Sequence, residues 1–256
     1  MADNFLDPVK LQDNVYVLSE IKQDFEAIYL KVREKEKRIY SDTELSNLPF
    51  ASNSNLHKAE WKLRAKSYKR FKKYLNSKRQ NLNILDLGCG NGWFSGQLSN
   101  SFDHIFYCVD VNLTELKQGR KNFKSDKLNF IYADLFSFEF PQSFFDVIIV
   151  NAAVQYFPDF KQLISHLRLL LNEKGEIHII DSPIYSEDGA IKAKKRTITY
   201  YSSLGFPEMS GNYYHHTWNE LKDFDYKILY DPSGIRNKFK KIFISDSPFP
   251  WLIIAS

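Results

Sequence analysis

The stretch Asn83-Ile84-Leu85-Asp86-Leu87-Gly88-Cys89-Gly90-Asn91-Gly92-Trp93-Phe94-Ser95 constrains this chain more than any other. Ile84, Leu85 and Leu87 form a short apolar run of the kind found in strands covered on both faces. Gly88, Gly90 and Gly92 follow at alternate positions. Glycine turns sharply and lets a ligand approach the backbone closely. A helix starting just after the turn would present free N–H groups. The stretch therefore reads as buried strand, tight turn and helix start. A dinucleotide loop of the form G-x-G-x-x-G is excluded, because the position three after Gly90 is Trp93.

From 83 onward, strand and helix patterns alternate, which argues for a parallel sheet. Strands are expected at 83–87, 105–109, 128–132, 146–150, 176–180, 226–230 and 251–254. Helices are expected at about 92–101, 114–123 with Thr114 as N-cap, 159–172, 187–204 and 217–224. Thr217 and Glu220 read as a capping box for the last of these. Before this region, Ile21, Phe25, Ile28, Tyr29 and Val32 recur at helical spacing, so 20–38 should be an amphipathic helix. Lys31, Arg33, Glu34, Lys35 and Glu36 read as its solvated face. A loop over 42–55 leads to a second helix, 55–77, with Trp61, Ala65, Tyr68, Phe71 and Leu75 on one side and Arg64 among them.

At 256 residues with 43% apolar content, the chain can bury a large core. The net charge of +4 does not by itself demand nucleic acid. Ten Lys and Arg between 58 and 79 form a basic segment, read first as a solvated face and second as a polyanion-binding patch. The two cysteines, Cys89 and Cys108, belong to no Cys/His cluster, so no metal site or disulfide framework is expected. A reducing, cytoplasmic location fits that usage. The first eleven residues lack a signal-peptide pattern, and no apolar run is long enough to span a membrane.

The run from Asp86 to Gly92, D-x-G-x-G-x-G, resembles the first motif of the class I S-adenosylmethionine-dependent methyltransferases. Phe145 to Pro158 and Leu171 to Glu176 resemble that family's fourth-strand region and its turn into strand five. The likeness covers about 81–181 and is closest to uncharacterised bacterial enzymes of small-molecule type. It implies a Rossmann-like, seven-stranded, mostly parallel sheet flanked by helices over 81–256, with 1–80 as an N-terminal helical cap. It also implies S-adenosylmethionine as cofactor. The N-P-P-Y sequence of enzymes that methylate DNA-base or glutamine amino groups is absent.

Ligands of an open α/β sheet bind beyond the carboxyl ends of its strands. Asp110 there can accept from two ribose hydroxyls, with Val111 beside it. By the resemblance, Asp134 accepts the adenine amino proton, and Ala133 and Leu135 flank the ring. Asp86, Gly88, Cys89, Gly90, Asn91, Gly92 and Asn151 complete the expected cofactor set, and Arg64 is assigned to the methionine carboxylate. Methyl transfer from a sulfonium needs little acid–base machinery, but an oxygen or nitrogen acceptor can require proton removal. His215, His216, Asp181 and Tyr185 are the candidates for that role, in or near an aromatic cluster over 197–218. His178, inside strand five, reads as a packed core residue. The expected partner is a small-molecule acceptor. RNA or another large anion, and a non-catalytic cofactor-binding scaffold, are the competing readings. Oligomeric state is left open.

Overall fold

The computed structural model describes residues 5–6, 11–78, 81–234 and 245–256. Arg79, one of the ten basic residues counted above, lies outside them. The described residues form one sheet from β1 (Leu11–Gln12), β2 (Val15–Val17), β3 (Asn83–Leu87), β4 (Ile105–Asp110), β5 (Leu128–Tyr132), β6 (Phe145–Asn151), β7 (Leu171–Ile180), β8 (Tyr226–Tyr230) and β9 (Trp251–Ala255). Their order is β1-β2-β5-β4-β3-β6-β7-β9-β8. The six strands from β2 to β7 in that order run parallel, while β1, β9 and β8 pair antiparallel with their neighbours.

The sheet thus has nine strands where seven were expected. The extra two come from the N-terminal segment, where β2 pairs with β5 through Tyr16–Ile131 and Val17–Tyr132. They are too short to leave a periodic signal, and only the exposed edge of β5 makes them strands.

The helices are α1 (Gln23–Lys35), α2 (Asp42–Asn47), α3 (Lys58–Leu75), α4 (Trp93–Ser99), α5 (Leu113–Asn122), α6 (Phe160–Leu170) and α7 (Glu187–Leu204). α2 stands where a loop was expected, held by a capping box between Ser41 and Glu44. α5 is capped by Asn112, whose side chain accepts from the Glu115 N–H, and not by Thr114. Residues 217–224 form turns rather than a helix. The Thr217–Glu220 contacts are present all the same, so the local capping chemistry formed with no helix behind it.

Apolar side chains bury on both faces of the sheet. One core gathers Phe71, Phe94, Phe106, Phe130 and Trp251 beneath α3, α4 and α5. The other gathers Leu85, Val109, Ile148, Leu163, Leu167 and Ile179 beneath α6. This two-sided cover explains why β3, β4, β6 and the second half of β7 read as apolar runs and not as alternating patterns.

Candidate cofactor and acceptor site

The glycine turn is built by close approach. Gly88 has φ +70, and a Cβ there would lie 2.5 Å from that of Ala153. Asp86, beneath the turn, accepts from the Ser95 hydroxyl at 2.7 Å and ties β3 to α4. Burial pushes the Asp86 carboxyl up to about 6 against that bond, and Asp110 adds to the rise. Asp110, the last residue of β4, accepts from the backbone of Gly90 at 2.7 Å and of Asn112 at 2.9 Å. Its carboxyl is also pushed up by burial to about 6, against those N–H donors. Glu115 follows on α5, where burial and then Asp110 raise it to about 7 while Arg33 opposes the shift. Three carboxylates thus surround one loop.

A cavity of about 410 Å³ opens at the carboxyl ends of these strands. It falls within the roughly 300–1,000 Å³ typical of small-molecule sites. Gly88, Gly90, Asp110, Val111, Ala133, Asp134 and Leu135 line it, as expected of the cofactor set. Asp86, Cys89, Asn91 and Gly92 do not. Asp134 accepts from the Phe136 N–H at 2.9 Å and pairs with Lys22. Burial works upward on its carboxyl, but Lys22 and Phe136 outweigh it and hold it below the usual range. Asn151 ends β6 with its Oδ1 buried and without a hydrogen-bond donor among the described residues.

A second cavity of about 460 Å³ adjoins the first and shares Ala152 and Tyr156 with it. Ala152, just past β6, has φ +53 in the left-handed region that a β-carbon disfavours. The second cavity is lined by α1, the turn after it, α3 and α7. Arg33 donates to Glu36 at 3.1 Å and to the hydroxyl oxygens of Tyr29 at 2.7 Å and Tyr156 at 3.3 Å. Arg38 bridges Glu36 and Glu60, and Arg64 Nε donates to Glu60 at 2.9 Å. Burial raises the Glu60 carboxyl, but the two arginines prevail and bring it to about 2.

Arg64 was expected at the methionine carboxylate. It lines the second cavity and pairs with Glu60, and is not among the residues lining the first. Arg33 and Glu36, read as a solvated face, are half-buried site residues. Their helix had too few apolar positions to reveal that α7 would cover its polar side.

The four proton-acceptor candidates stand apart from both cavities. His216 is buried, with Nε2 donating to the Val154 carbonyl at 3.1 Å and Nδ1 3.2 Å from Glu220. Both ring nitrogens are spent inside the fold. Asp181 is buried between α3 and the C-terminal segment, accepting from Ser67 at 2.7 Å and Ser247 at 3.0 Å. Its left-handed backbone, φ +49, ends β7 there, and burial raises its carboxyl. Tyr185 bridges Thr217 through its backbone and packs its ring on His215. His215 Nε2 meets the hydroxyl of Thr197 at 2.8 Å, and Thr197 lines the second cavity. His215 therefore reaches the cavity only through Thr197. His178 is a buried core residue, as expected, accepting from Trp251 Nε1 at 3.1 Å.

Residues 84–175 match a family model described as a methyltransferase domain. An uncharacterised methyltransferase of Mycobacterium bovis is 26% identical over 97 residues, 38% of this chain and 49% of its own length. A malonyl-[acyl-carrier protein] O-methyltransferase of a Paenibacillus species is 33% identical over 100 residues, 37% of this chain and 36% of its own. The chain thus spans half or less of the length of these curated relatives. In three dimensions, an S-adenosylmethionine-dependent methyltransferase from Mesorhizobium loti superposes with a TM-score of 0.53 at 17% identity, over 75% of this chain and 98% of that one. A glycine turn, an acidic residue at the end of the next strand and the family match over the same residues agree: residues 84–175 carry a methyltransferase domain.

Proposed function

We propose that this protein transfers a methyl group from S-adenosylmethionine to an oxygen or nitrogen of a small molecule. The observation that carries the reading is the meeting of two cavities at Ala152 and Tyr156, one over the glycine turn and one beneath α7. The residues of the first fit the cofactor. Gly88 leaves backbone room beside Ala153, Asp110 offers a carboxylate at the end of β4, and Asp134 stands one strand further on.

When bound, the cofactor supplies an electrophilic methyl on a sulfonium. The protein's share is orientation and exclusion of water. Asp110 would hold the ribose hydroxyls, and its bond from the Gly90 N–H fixes the loop beside them. Asp134, paired with Lys22, would hold the adenine amino group. Phe25 and Tyr29 of α1 cover the site from the N-terminal segment. We assign α1 as a cap over the site on that basis. The hydroxyl of Tyr156 accepts from Arg33 and donates to no group among the described residues.

The basic face of α3 offers less to RNA than its composition suggests. Arg70 pairs with Asp246, Lys78 with Glu176, and Lys66 donates to the Ser245 carbonyl. Free thiols at Cys89 and Cys108 suit a reducing compartment, the cytoplasm. No helix among the described residues is long and apolar enough to cross a membrane. The test is incubation with methyl-labelled cofactor and a cell extract split into small-molecule and RNA fractions. Label is expected in the small-molecule fraction. Label in RNA alone, or tight cofactor binding with no transfer to either fraction, would overturn the proposal.

A further inference from the structure

The charged residues lining the second cavity are four arginines, Arg33, Arg38, Arg64 and Arg196, and two glutamates, Glu36 and Glu60. Two positive charges are left over. The first three arginines and the glutamates form an alternating ladder, Arg33–Glu36–Arg38–Glu60–Arg64. The ladder satisfies Arg64 only at Nε; its terminal nitrogens have no hydrogen bond among the described residues. Arg196, on α7, has no ion pair and no hydrogen bond among them at all. Two guanidinium forks therefore line one small cavity with donors to spare. The polar neutral groups beside them include Thr197, Gln155 and the tyrosines. Gln155 is buried, and its Oε1 has no hydrogen-bond donor among the described residues.

We propose that this cavity selects an acceptor bearing an oxyanion, a carboxylate or a phosphate, bound by Arg64 and Arg196. A guanidinium fork matches two oxygens of either group. Glu60 holds Arg64 at the end of the ladder, so the anion meets that donor already placed, while Arg196 reaches it from the exposed face of α7. A neutral acceptor would leave the half-buried Arg64 terminal nitrogens without an acceptor. The inference rests on the methyltransferase reading only for the word acceptor; the anion selectivity stands on the cavity itself.

Calorimetry tests it directly. The protein, with and without S-adenosylhomocysteine, is titrated at low salt with malonate, inorganic phosphate and neutral malonamide. Malonate or phosphate is expected to bind and malonamide not to. The preferred anion separates a carboxylate from a phosphate acceptor. Arg196→Ala and Arg64→Ala are each expected to weaken that binding about tenfold or more, with Arg196→Lys restoring part of it. Arg196 is exposed on α7, so its loss leaves the core intact. Lys161→Ala, which removes a surface cation paired with Asp223, serves as the control and should change nothing. Equal anion binding by the wild type and both arginine variants overturns the proposal, as does binding of the amide as tight as that of the dianion. S-adenosylhomocysteine affinity in the same samples keeps the two readings apart. Its absence counts against the cofactor site alone, and its presence without anion binding counts against this inference alone.

Discussion

Asp110 Oδ2 accepts a 2.7 Å hydrogen bond from the backbone N–H of Gly90, so the carboxylate at the end of β4 fixes the middle of the glycine turn on β3. One side chain thus shapes the loop and faces the cavity. Asp110→Ala is expected to weaken S-adenosylhomocysteine binding by about 1–3 kcal/mol, the worth of charged hydrogen bonds. Calorimetry on the variant, with its fold checked by circular dichroism, measures this. Unchanged affinity would remove Asp110 from the cofactor site.

The same carboxylate makes cofactor affinity depend on pH. Burial raises Asp110 to about 6, and hydroxyl donors prefer the ionised acceptor. Binding therefore favours loss of the proton. Affinity should rise from about pH 5 to about pH 7 and level off above, the window set by that raised value. A flat profile across this range would contradict the assignment.

Glu115 should behave in the opposite sense for stability. Its folded-state carboxyl is raised to about 7, so its stabilising contribution is complete below the unfolded value near 4.5 and is lost as pH rises through about 7. At pH 8 the ionised group costs the fold about 1–2 kcal/mol once partial exposure is allowed for. Glu115→Gln is expected to raise the melting temperature at about pH 8 and to change it little at about pH 5. A uniform effect at both values would mean that the charge is not the cause.

Gly119 on α5 lies against the back of the turn. A Cβ there would meet the Asn91 carbonyl oxygen at 2.4 Å and the Phe130 ring at 2.5 Å. Gly119→Ala is expected to cost about 1–3 kcal/mol in urea unfolding, the usual cost of overpacking. Gly211→Ala, where the added atom meets nothing within 4 Å, is the near-neutral comparison.

The adjacent histidines should separate cleanly. His216→Ala removes one buried and one part-buried contact and leaves the Val154 carbonyl unpaired, a loss of about 1–3 kcal/mol of stability. His215→Ala touches the cavity only through Thr197, so the fold should stay intact. If urea unfolding shows the two variants equally stable, the distinction between a structural and a cavity-side histidine is wrong.

The turn from Asp86 to Gly92, the parallel core strands and the acids at the ends of β4 and after β5 were legible in the sequence. Each depends on contacts within a few residues: an apolar run, a glycine that no other residue replaces, a carboxylate directly after a strand. What surrounds them was decided by tertiary structure. Leu11–Gln12 and Val15–Val17 become strands only because β5 offers an open edge. Asp181 and His216 sit after strands or in an aromatic cluster, as catalytic residues do, yet the packing of Ser67, Ser247 and Val154 around them turns both inward. Arg33 and Arg196 lie 163 positions apart, on helices whose charged faces look solvated in isolation. No local pattern can say that two such faces will enclose one cavity. Their meeting is a long-range event, set by where α1 and α7 pack beyond the same end of the sheet, and with it the polarity of the second cavity.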